Sequence, residues 1–309
     1  MDIMKSLATI IGISLLMTIG LYLFPSIIFL FPVAFIVIGV KYDTANSFIS
    51  ILITSFLIGI SIDLISGLIM LAAFGPMALY ITDSIGKRKK SRDIIIPSSI
   101  IFFISTIIVV IMLRGFSGIS LIESLKESVK AYTDLQMTLI EDMELTNIES
   151  FRFKESVDNL YNIVVSILPS FFIILSLIIS YTNYYISTII LRKLGLGIRD
   201  NPRFSKFSLP RNFIIGSLFM FLVVYLLEKI ETIPSDVVEL NIIVLVVSLL
   251  FIQGLSVLNY LLVSLRFHII FRLILLGLSL FVSPLISILA LIGVLDIMFD
   301  FRKLRRRKP

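Results

Sequence analysis

Residues 87–113 read KRKKSRDIIIPSSIIFFISTIIVVIML, in which a cluster of five basic residues precedes an uncharged, mostly apolar run at 94–113. A helix of that length rises about 30 Å, which matches the hydrocarbon core of a bilayer. Basic residues beside such a run stay on the cytoplasmic side of the membrane. This stretch therefore predicts a helix that leaves the cytoplasm near Asp93 and crosses outward.

The rest of the chain has the same character. It is 309 residues long, 58% of them are hydrophobic, and only 16% are charged. A soluble core cannot absorb that much apolar surface, so the composition predicts an all-α, polytopic transmembrane helical bundle of about eight to ten membrane segments. The first apolar run, Leu7 to Phe24, follows Lys5 like a signal peptide. No small-residue cleavage site follows it, and we interpret it as a retained helix.

Charge and turn residues divide the chain into five predicted segments. The first, 1–93, contains four short helices, which we predict at 6–24, 26–40, 47–67 and 69–86. The others are a transmembrane helix at 94–113, an extracytoplasmic acidic segment at 114–160, a C-terminal helical group at 161–301 and a basic cytoplasmic tail at 302–309.

The segment between residues 115 and 160 is acidic, with nine acidic and four basic side chains, unlike the basic loops. Apolar residues recur at helical spacing behind Ser120, and Glu123 completes a capping box. Thr146 and Glu149 repeat that pattern. We therefore expect two amphipathic helices over the outer face of the membrane. A solvated spacer is the alternative.

The C-terminal part must return to the cytoplasm. Basic residues from Arg192 to Arg211 predict a second cytoplasmic loop, and the residues from Arg302 onward predict a cytoplasmic C-terminus. If Arg266 and Arg272 are also inside, both ends of the run 273–299 lie in the cytoplasm, and the run must cross the membrane an even number of times. We therefore predict a hairpin of two half-length helices broken at Pro284. The alternative is that both arginines face outward. The Ile- and Lys-rich composition without Trp is typical of a low-GC bacterial genome. We therefore expect a protein of a bacterial cytoplasmic membrane, and the basic loops and tail predict that both termini lie inside.

Asp63 is the acidic residue that we single out for a functional role. A charge at bilayer depth costs about 3 kcal/mol, and such residues are usually functional. We predict Asp63 in the third helix, where Ser55, Gly59 and Gly67 share its face at steps of four. In this position the carboxylate would coordinate a substrate or ion. The alternative is that Asp63 lies at the outer end of its helix and is hydrated.

Two later helices carry polar stripes that suit the same cavity. One stripe contains Ser176, Ser180, Asn183 and Ser187, and the other contains Gln253, Ser256 and Asn259. Such stripes often only pack helices together. We predict that a small molecule or ion is bound by Asp63, Ser180, Asn183, Gln253 and Asn259.

The chain lacks the residues that several kinds of catalytic and metal chemistry require. The chain has no Cys and one histidine, His268, which excludes disulfides, cysteine nucleophiles and Cys-ligated metals. It has no phosphate-cradling glycine loop, no His-Glu-x-x-His and no Gly-x-Ser-x-Gly. We predict no catalytic residues, no metal site, no cofactor and no enzymatic activity. The basic loops orient the protein in the membrane and attract lipid headgroups, so we expect no nucleic acid as a partner. The partners that we expect are the bilayer, a membrane or cytoplasmic protein and a small molecule.

Two C-terminal motifs carry a family resemblance. They are FSKFSLP at 204–210 and GVLDIMFDFR at 293–302. With the layout of the helices, they resemble the YybS-like family of bacterial polytopic membrane proteins. The resemblance implies N-terminal helices like those of the S components of energy-coupling-factor transporters and of the cell-shape protein MreD. The resemblance implies a fold rather than a function. Together with Asp63 and the two polar stripes, it leads us to expect binding of a small molecule or ion, as in an S component, with a membrane scaffold for cell-envelope or signalling enzymes as the alternative.

Overall fold

The computed structural model describes residues 2–118, 120–142, 147–199, 203–229 and 235–304, and every regular element within these ranges is helical. The α-helices are α1 (Asp2–Leu23), α2 (Phe31–Lys41), α3 (Thr44–Ser61), α4 (Leu64–Ile69), α5 (Gly75–Gly86), α6 (Ser91–Ser117), α7 (Leu121–Asp142), α8 (Asn147–Lys193), α9 (Phe213–Glu228), α10 (Ser235–Ser264), α11 (Ile269–Phe281) and α12 (Ser283–Phe299). Short 3₁₀-helices lie at Pro25–Leu30 and Phe204–Lys206, and a π-helix at Met70–Phe74 joins α4 to α5.

The helices have the length and composition of membrane spans. In the described part of the chain, five are long and apolar enough to cross a bilayer, and the bent pair α11 and α12 would make a sixth. The five spans are Thr44–Ser61, Leu64–Gly86, Ser91–Gly115, Glu155–Lys193 and Ser235–Ser264. Shorter apolar helices occupy Ala8–Leu23, Pro25–Lys41 and Phe213–Glu228. The prediction of an all-α polytopic membrane bundle is confirmed.

A sharp break separates α11 from α12. The two helices are bent by 107°, as in a broken span or a re-entrant loop. Val282 is extended between them, and Pro284 lies in the first turn of α12. Proline is tolerated there because that N–H has no partner within the helix. The predicted break at Pro284 is confirmed.

The boundary between α3 and α4 differs from our prediction. We placed Asp63 inside a helix over 47–67, but α3 ends at Ser61 and Asp63 caps the start of α4. An aspartate that accepts a hydrogen bond from a free N–H at a helix start is more stable there than in a helix interior. Gly67, where we predicted that helix to end, packs against the Ser55 carbonyl and Gly59, and a Cβ at Gly67 would overlap them.

The chain forms two compact units. Unit 1 contains Met1–Val165 and Leu175–Asn201, and unit 2 contains Ser166–Ile174 and Pro202–Pro309. The core of unit 1 includes tilted phenylalanine pairs, with ring centroids 4.6 Å apart for Phe31 and Phe35 and 5.1 Å apart for Phe74 and Phe102. Phe251, Leu255 and Leu289 form the core of unit 2. Our division into five segments also assigned membrane sides, and it stays a prediction.

The predicted amphipathic segment is helical in the described residues. The Ser120 hydroxyl accepts a hydrogen bond from the Glu123 amide at 3.4 Å, which is one of the two hydrogen bonds of a capping box. The Tyr161 hydroxyl of α8 donates to the Ile122 carbonyl of α7 at 3.3 Å. Thr146 of the second capping pattern lies outside the described residues, as do Asp200, Glu231 and the tail from Arg305 onward. The extracytoplasmic location of α7 stays a prediction.

The Asn241 side chain of unit 2 bridges a gap in the backbone hydrogen bonding of α8 beside Pro169. Pro169 lies inside α8, where its ring disrupts the bonding of the neighbouring turn. The Asn241 side chain inserts at this point, because its amide donates to the Ser166 carbonyl at 2.7 Å and accepts from the Ser170 N–H at 2.9 Å. These are the two groups that an uninterrupted helix would join directly. We did not foresee this role for Asn241.

Candidate functional site

Helices α10 and α12 of unit 2 pack at very short range. Gly254 of α10 faces the Leu289 carbonyl, and Gly293 of α12 faces the Leu250 carbonyl. A Cβ at either glycine would overlap the facing backbone, so only glycine permits this approach. The two contacts run in opposite order along the helices, which are therefore antiparallel.

This close packing brings a carboxylate and an arginine into the interior of unit 2. After α12 ends at Phe299, Asp300 adopts a left-handed conformation with φ of 51° and the chain turns back. The Arg302 guanidinium then reaches Asp296, with Nη2 and Oδ2 2.7 Å apart. The two side chains are only 1% and 3% exposed. A buried charge pair of this kind is stable only when its remaining polar atoms are hydrogen-bonded.

Every N–H of the Arg302 side chain has an acceptor. Nε lies 3.2 Å and 3.3 Å from the two carboxylate oxygens of Asp296. Nη1 donates to the Ser205 carbonyl at 2.9 Å and to the Ser256 hydroxyl at 2.7 Å. Nη2 donates to the Phe207 carbonyl at 2.8 Å and to Asp296. The guanidinium has five N–H groups, and none remains free for a ligand.

Two polar side chains of α10 complete this group, which we call the Arg302 cluster: Arg302, Asp296, Gln253 and Ser256. The Gln253 amide donates to Asp296 Oδ2 at 2.6 Å and accepts from the Leu209 N–H at 2.9 Å. The Ser256 hydroxyl lies 2.6 Å from the Phe204 carbonyl, to which it donates. The cluster therefore holds the segment 204–209 against α10 and α12 by its backbone.

The cluster joins the two motifs on which the family resemblance rests, FSKFSLP and GVLDIMFDFR. We predicted Gln253 as a binding residue but did not predict Asp296, and we assigned Arg302 to the basic cytoplasmic tail at 302–309. The signal for Asp296 was present, because it is an acidic residue in an otherwise apolar run, the criterion that selected Asp63. Nothing local marks Arg302, which resembles the other cations that follow it.

The other site residue predicted in unit 2 is Asn259. It lies six residues beyond Gln253 on α10 and is half-buried. Gln253 uses both ends of its amide within the Arg302 cluster. A ligand role for Gln253 and Asn259 stays a prediction.

Ser180 and Asn183 lie on α8 in unit 1, and both are fully buried. The Ser180 hydroxyl lies 3.1 Å from Met77 Sδ, and the Asn183 amide donates to the Phe29 carbonyl at 2.8 Å. Asn183 Oδ1 and Ser187 Oγ are buried without a hydrogen-bond partner among the described residues. An unsatisfied buried acceptor costs about 1–3 kcal/mol, so a hydrogen bond from a bound group to either atom would recover that cost.

Asp63 lies apart from these hydrogen bonds, at the exposed start of α4. Its carboxylate accepts from the Ser66 N–H at 2.8 Å and from the Ser66 hydroxyl at 2.5 Å. These bonds, the hydroxyl first, lower the pKa of Asp63 below its ordinary value. Asp63 is therefore an ionised helix cap, and a role for it in binding a substrate stays a prediction.

A cavity of about 40 Å³ lies beside α4 and α6 in unit 1. Its lining is wholly apolar and consists of Ile65, Leu68, Ile69, Ala72, Val109, Met112 and Leu113. Sites for drug-sized molecules are typically about 300–1,000 Å³ and contain a few polar groups. This cavity has neither property.

The comparisons with known proteins agree with the membrane architecture. A family model described as "Predicted membrane protein (DUF2232)" matches residues 9–297, nearly the whole chain. No curated protein matches the chain, and no solved structure matches it. The YybS-like name and the likeness to S components and MreD therefore remain resemblances. The extent of the match shows that this chain belongs to the predicted membrane protein family DUF2232.

Proposed function

We propose that the protein is a non-enzymatic membrane scaffold that holds a basic segment in one conformation and presents it to a protein partner. The Arg302 cluster carries this proposal, because it anchors the backbone of residues 204–209 through a fully buried arginine. Three exposed cations lie within or beside this segment, namely Arg203, Lys206 and Arg211.

A simple connection between two membrane helices does not need such an anchor. Burying an ion pair carries a desolvation cost, and an apolar replacement is often equally stable or more so. A role in conformational specificity would account for a buried pair here. A loop that is already ordered loses less entropy on binding, so its exposed cations form a pre-organised surface.

The partner in this proposal is a membrane or cytoplasmic protein with an acidic surface, such as a cell-envelope or signalling enzyme. The location in a bacterial cytoplasmic membrane, with both termini inside, belongs to the same proposal. In that orientation Arg203, Lys206 and Arg211 face the cytoplasm, where such enzymes have their soluble domains.

The absence of cysteine allows a direct test. A Lys206→Cys variant would carry a photo-crosslinker in the native membrane, and adducts would be identified by mass spectrometry. We expect one discrete protein adduct at Lys206→Cys, and its loss when Arg302→Ala releases the segment. Lys229→Cys is the matched control, because Lys229 is also exposed, in the same unit at the other end of α9.

Two results would contradict the scaffold. One is an adduct that persists in the Arg302→Ala background and after neutralisation of Arg203 and Arg211. The other is a Lys206→Cys protein that crosslinks only to lipid while it remains correctly inserted. Neutralising Arg305, Arg306 and Arg307 would test separately whether the tail contributes to the same contact.

Small-molecule binding, as in an S component, is the second candidate function. Two buried atoms, Asn183 Oδ1 and Ser187 Oγ, have no hydrogen-bond partner in the described part of unit 1, and they favour this function. A thermal-shift screen of the purified protein with water-soluble vitamins would test it. A stabilising vitamin should lose its effect with Asn183→Leu, and with Asp63→Ala if that carboxylate takes part. If no vitamin raises the melting temperature, this candidate loses its support, whatever the crosslinking result.

A further inference from the structure

Two basic loops of unit 1 that lie far apart in sequence are joined in space. Arg199 Nη1 donates to the Arg88 carbonyl at 3.0 Å, across 111 residues of chain. Arg88 has a left-handed backbone with φ of 51°, and the Lys89 N–H donates to the Ser84 carbonyl at 3.1 Å. The turn after α5 is therefore well defined where the second loop attaches.

The joined loops make a concentrated positive surface, which we call the basic platform. Its exposed cations are Lys87, Arg88, Lys90, Arg92, Arg192, Lys193 and Arg199. Lys87 pairs with Asp83 at 2.8 Å, and Lys89 lies over the Tyr80 ring, 5.1 Å from its centroid. Asp93 is the other acid in the described part of these loops. Positive charge therefore clearly exceeds negative charge.

The platform lies at the level where apolar spans end. The span Leu64–Gly86 stops one residue before Lys87, the span Ser91–Gly115 begins beside Lys90, and Glu155–Lys193 ends within the second loop. In a bilayer, phospholipid headgroups lie at the ends of membrane spans and the acyl chains lie along the apolar faces of the helices. Each Lys or Arg near a membrane surface strengthens attraction to anionic lipid about fivefold.

Orientation of the spans requires cations near their ends but no contact between the loops. The Arg199 bond adds that contact and holds Arg199 of one loop beside Arg88 of the other. A headgroup phosphate could then be contacted from both sides. We infer that the basic platform is a binding site for the headgroup of an anionic phospholipid. This inference does not rest on the proposed scaffold, which involves a different segment in unit 2.

The test is a lipid titration of the purified full-length protein in detergent, with native mass spectrometry to count bound phosphatidylglycerol or phosphatidylcholine. We expect tighter binding of phosphatidylglycerol. Arg192→Gln with Lys193→Gln should weaken its tightest site about 25-fold, which is fivefold for each cation. The matched control, Lys229→Gln with Lys303→Gln, removes the same charge from exposed positions in unit 2 and should change that site less than about twofold.

Arg199→Gln tests the junction between the loops. It removes one charge and the bond to Arg88, so its loss of affinity should exceed the fivefold expected for charge alone. Inorganic phosphate should not displace the lipid, and displacement would assign the site to a soluble phosphate compound. Equal losses in the platform and control variants would overturn the inference. Lipid binding that the platform variants leave unchanged would also overturn it. That result would favour an acidic protein as the occupant of this surface.

Discussion

Arg302 folds back onto Asp296, six residues earlier in the chain, and the two side chains meet inside unit 2 with 2.7 Å between Nη2 and Oδ2. The same guanidinium binds the carbonyls of Ser205 and Phe207, nearly one hundred residues away. The end of α12 and the segment before α9 are therefore parts of one buried structure. Loss of either Arg302 or Asp296 should therefore disturb both the end of α12 and the segment before α9.

Arg302→Ala leaves the Asp296 carboxylate buried without its cation. We expect a destabilisation of about 3–5 kcal/mol, seen as a lower thermal unfolding midpoint in detergent. Arg302→Lys should also destabilise, because an ammonium cannot reproduce the planar fork of five donors. Lys303→Ala, at the exposed neighbouring position, is the control. Replacing both charges, Arg302→Met with Asp296→Leu, should cost less than either single loss, and a larger cost would refute this account.

The glycine contact between α10 and α12 is open to a similar test. Gly254→Ala and Gly293→Ala place a methyl group against facing backbone, so each should destabilise unit 2 by about 1–3 kcal/mol. Gly216→Ala in α9 meets no neighbour, and it should be neutral or stabilise by about 0.5–1 kcal/mol through helix propensity. Thermal unfolding of the three variants separates these outcomes. Equal effects at all three positions would argue against close packing.

The Asn241 side chain should contribute to stability because Pro169 interrupts the hydrogen bonding of α8 beside it. Asn241→Ala leaves the Ser166 carbonyl and the Ser170 N–H unpaired, at a cost of about 1–3 kcal/mol. Pro169→Ala allows the helix to bond these groups itself, so in that background Asn241→Ala should cost less. A double-mutant cycle on unfolding free energies measures the coupling. Additive effects would show that the amide does not substitute for the helix bond.

Asp63 should make stability depend on acid pH. Its pKa is lowered in the folded protein by the Ser66 hydroxyl and amide, so the folded state favours the ionised form. The resulting stabilisation is complete above the unfolded pKa of about 4 and is lost as the pH falls through the lower folded value. Unfolding midpoints between neutral and strongly acidic pH should reveal this fall. Ser66→Ala should reduce this fall, and Asp63→Asn should remove the contribution.

Several features followed from local sequence. The helix break at Pro284 was predictable because proline restricts its own backbone and that of its neighbour. The cap at Ser120 was predictable because it involves only the next three residues. Asp63 was misplaced for a related reason. The spacing of small residues is the same in one continuous helix and in two helices that pack through those residues. Here Gly67 packs against Gly59 across a turn.

The sequence by itself determined that this is a polytopic helical membrane protein, since apolar length and flanking charge act within single helices. Only the tertiary structure decided the roles of individual polar groups. It separated Arg302, buried against Asp296, from the cations that follow it, and it joined Arg199 to Arg88. It also placed Asn241 at the gap left by Pro169. Each of these roles depends on a partner that only helix packing brings within hydrogen-bond distance.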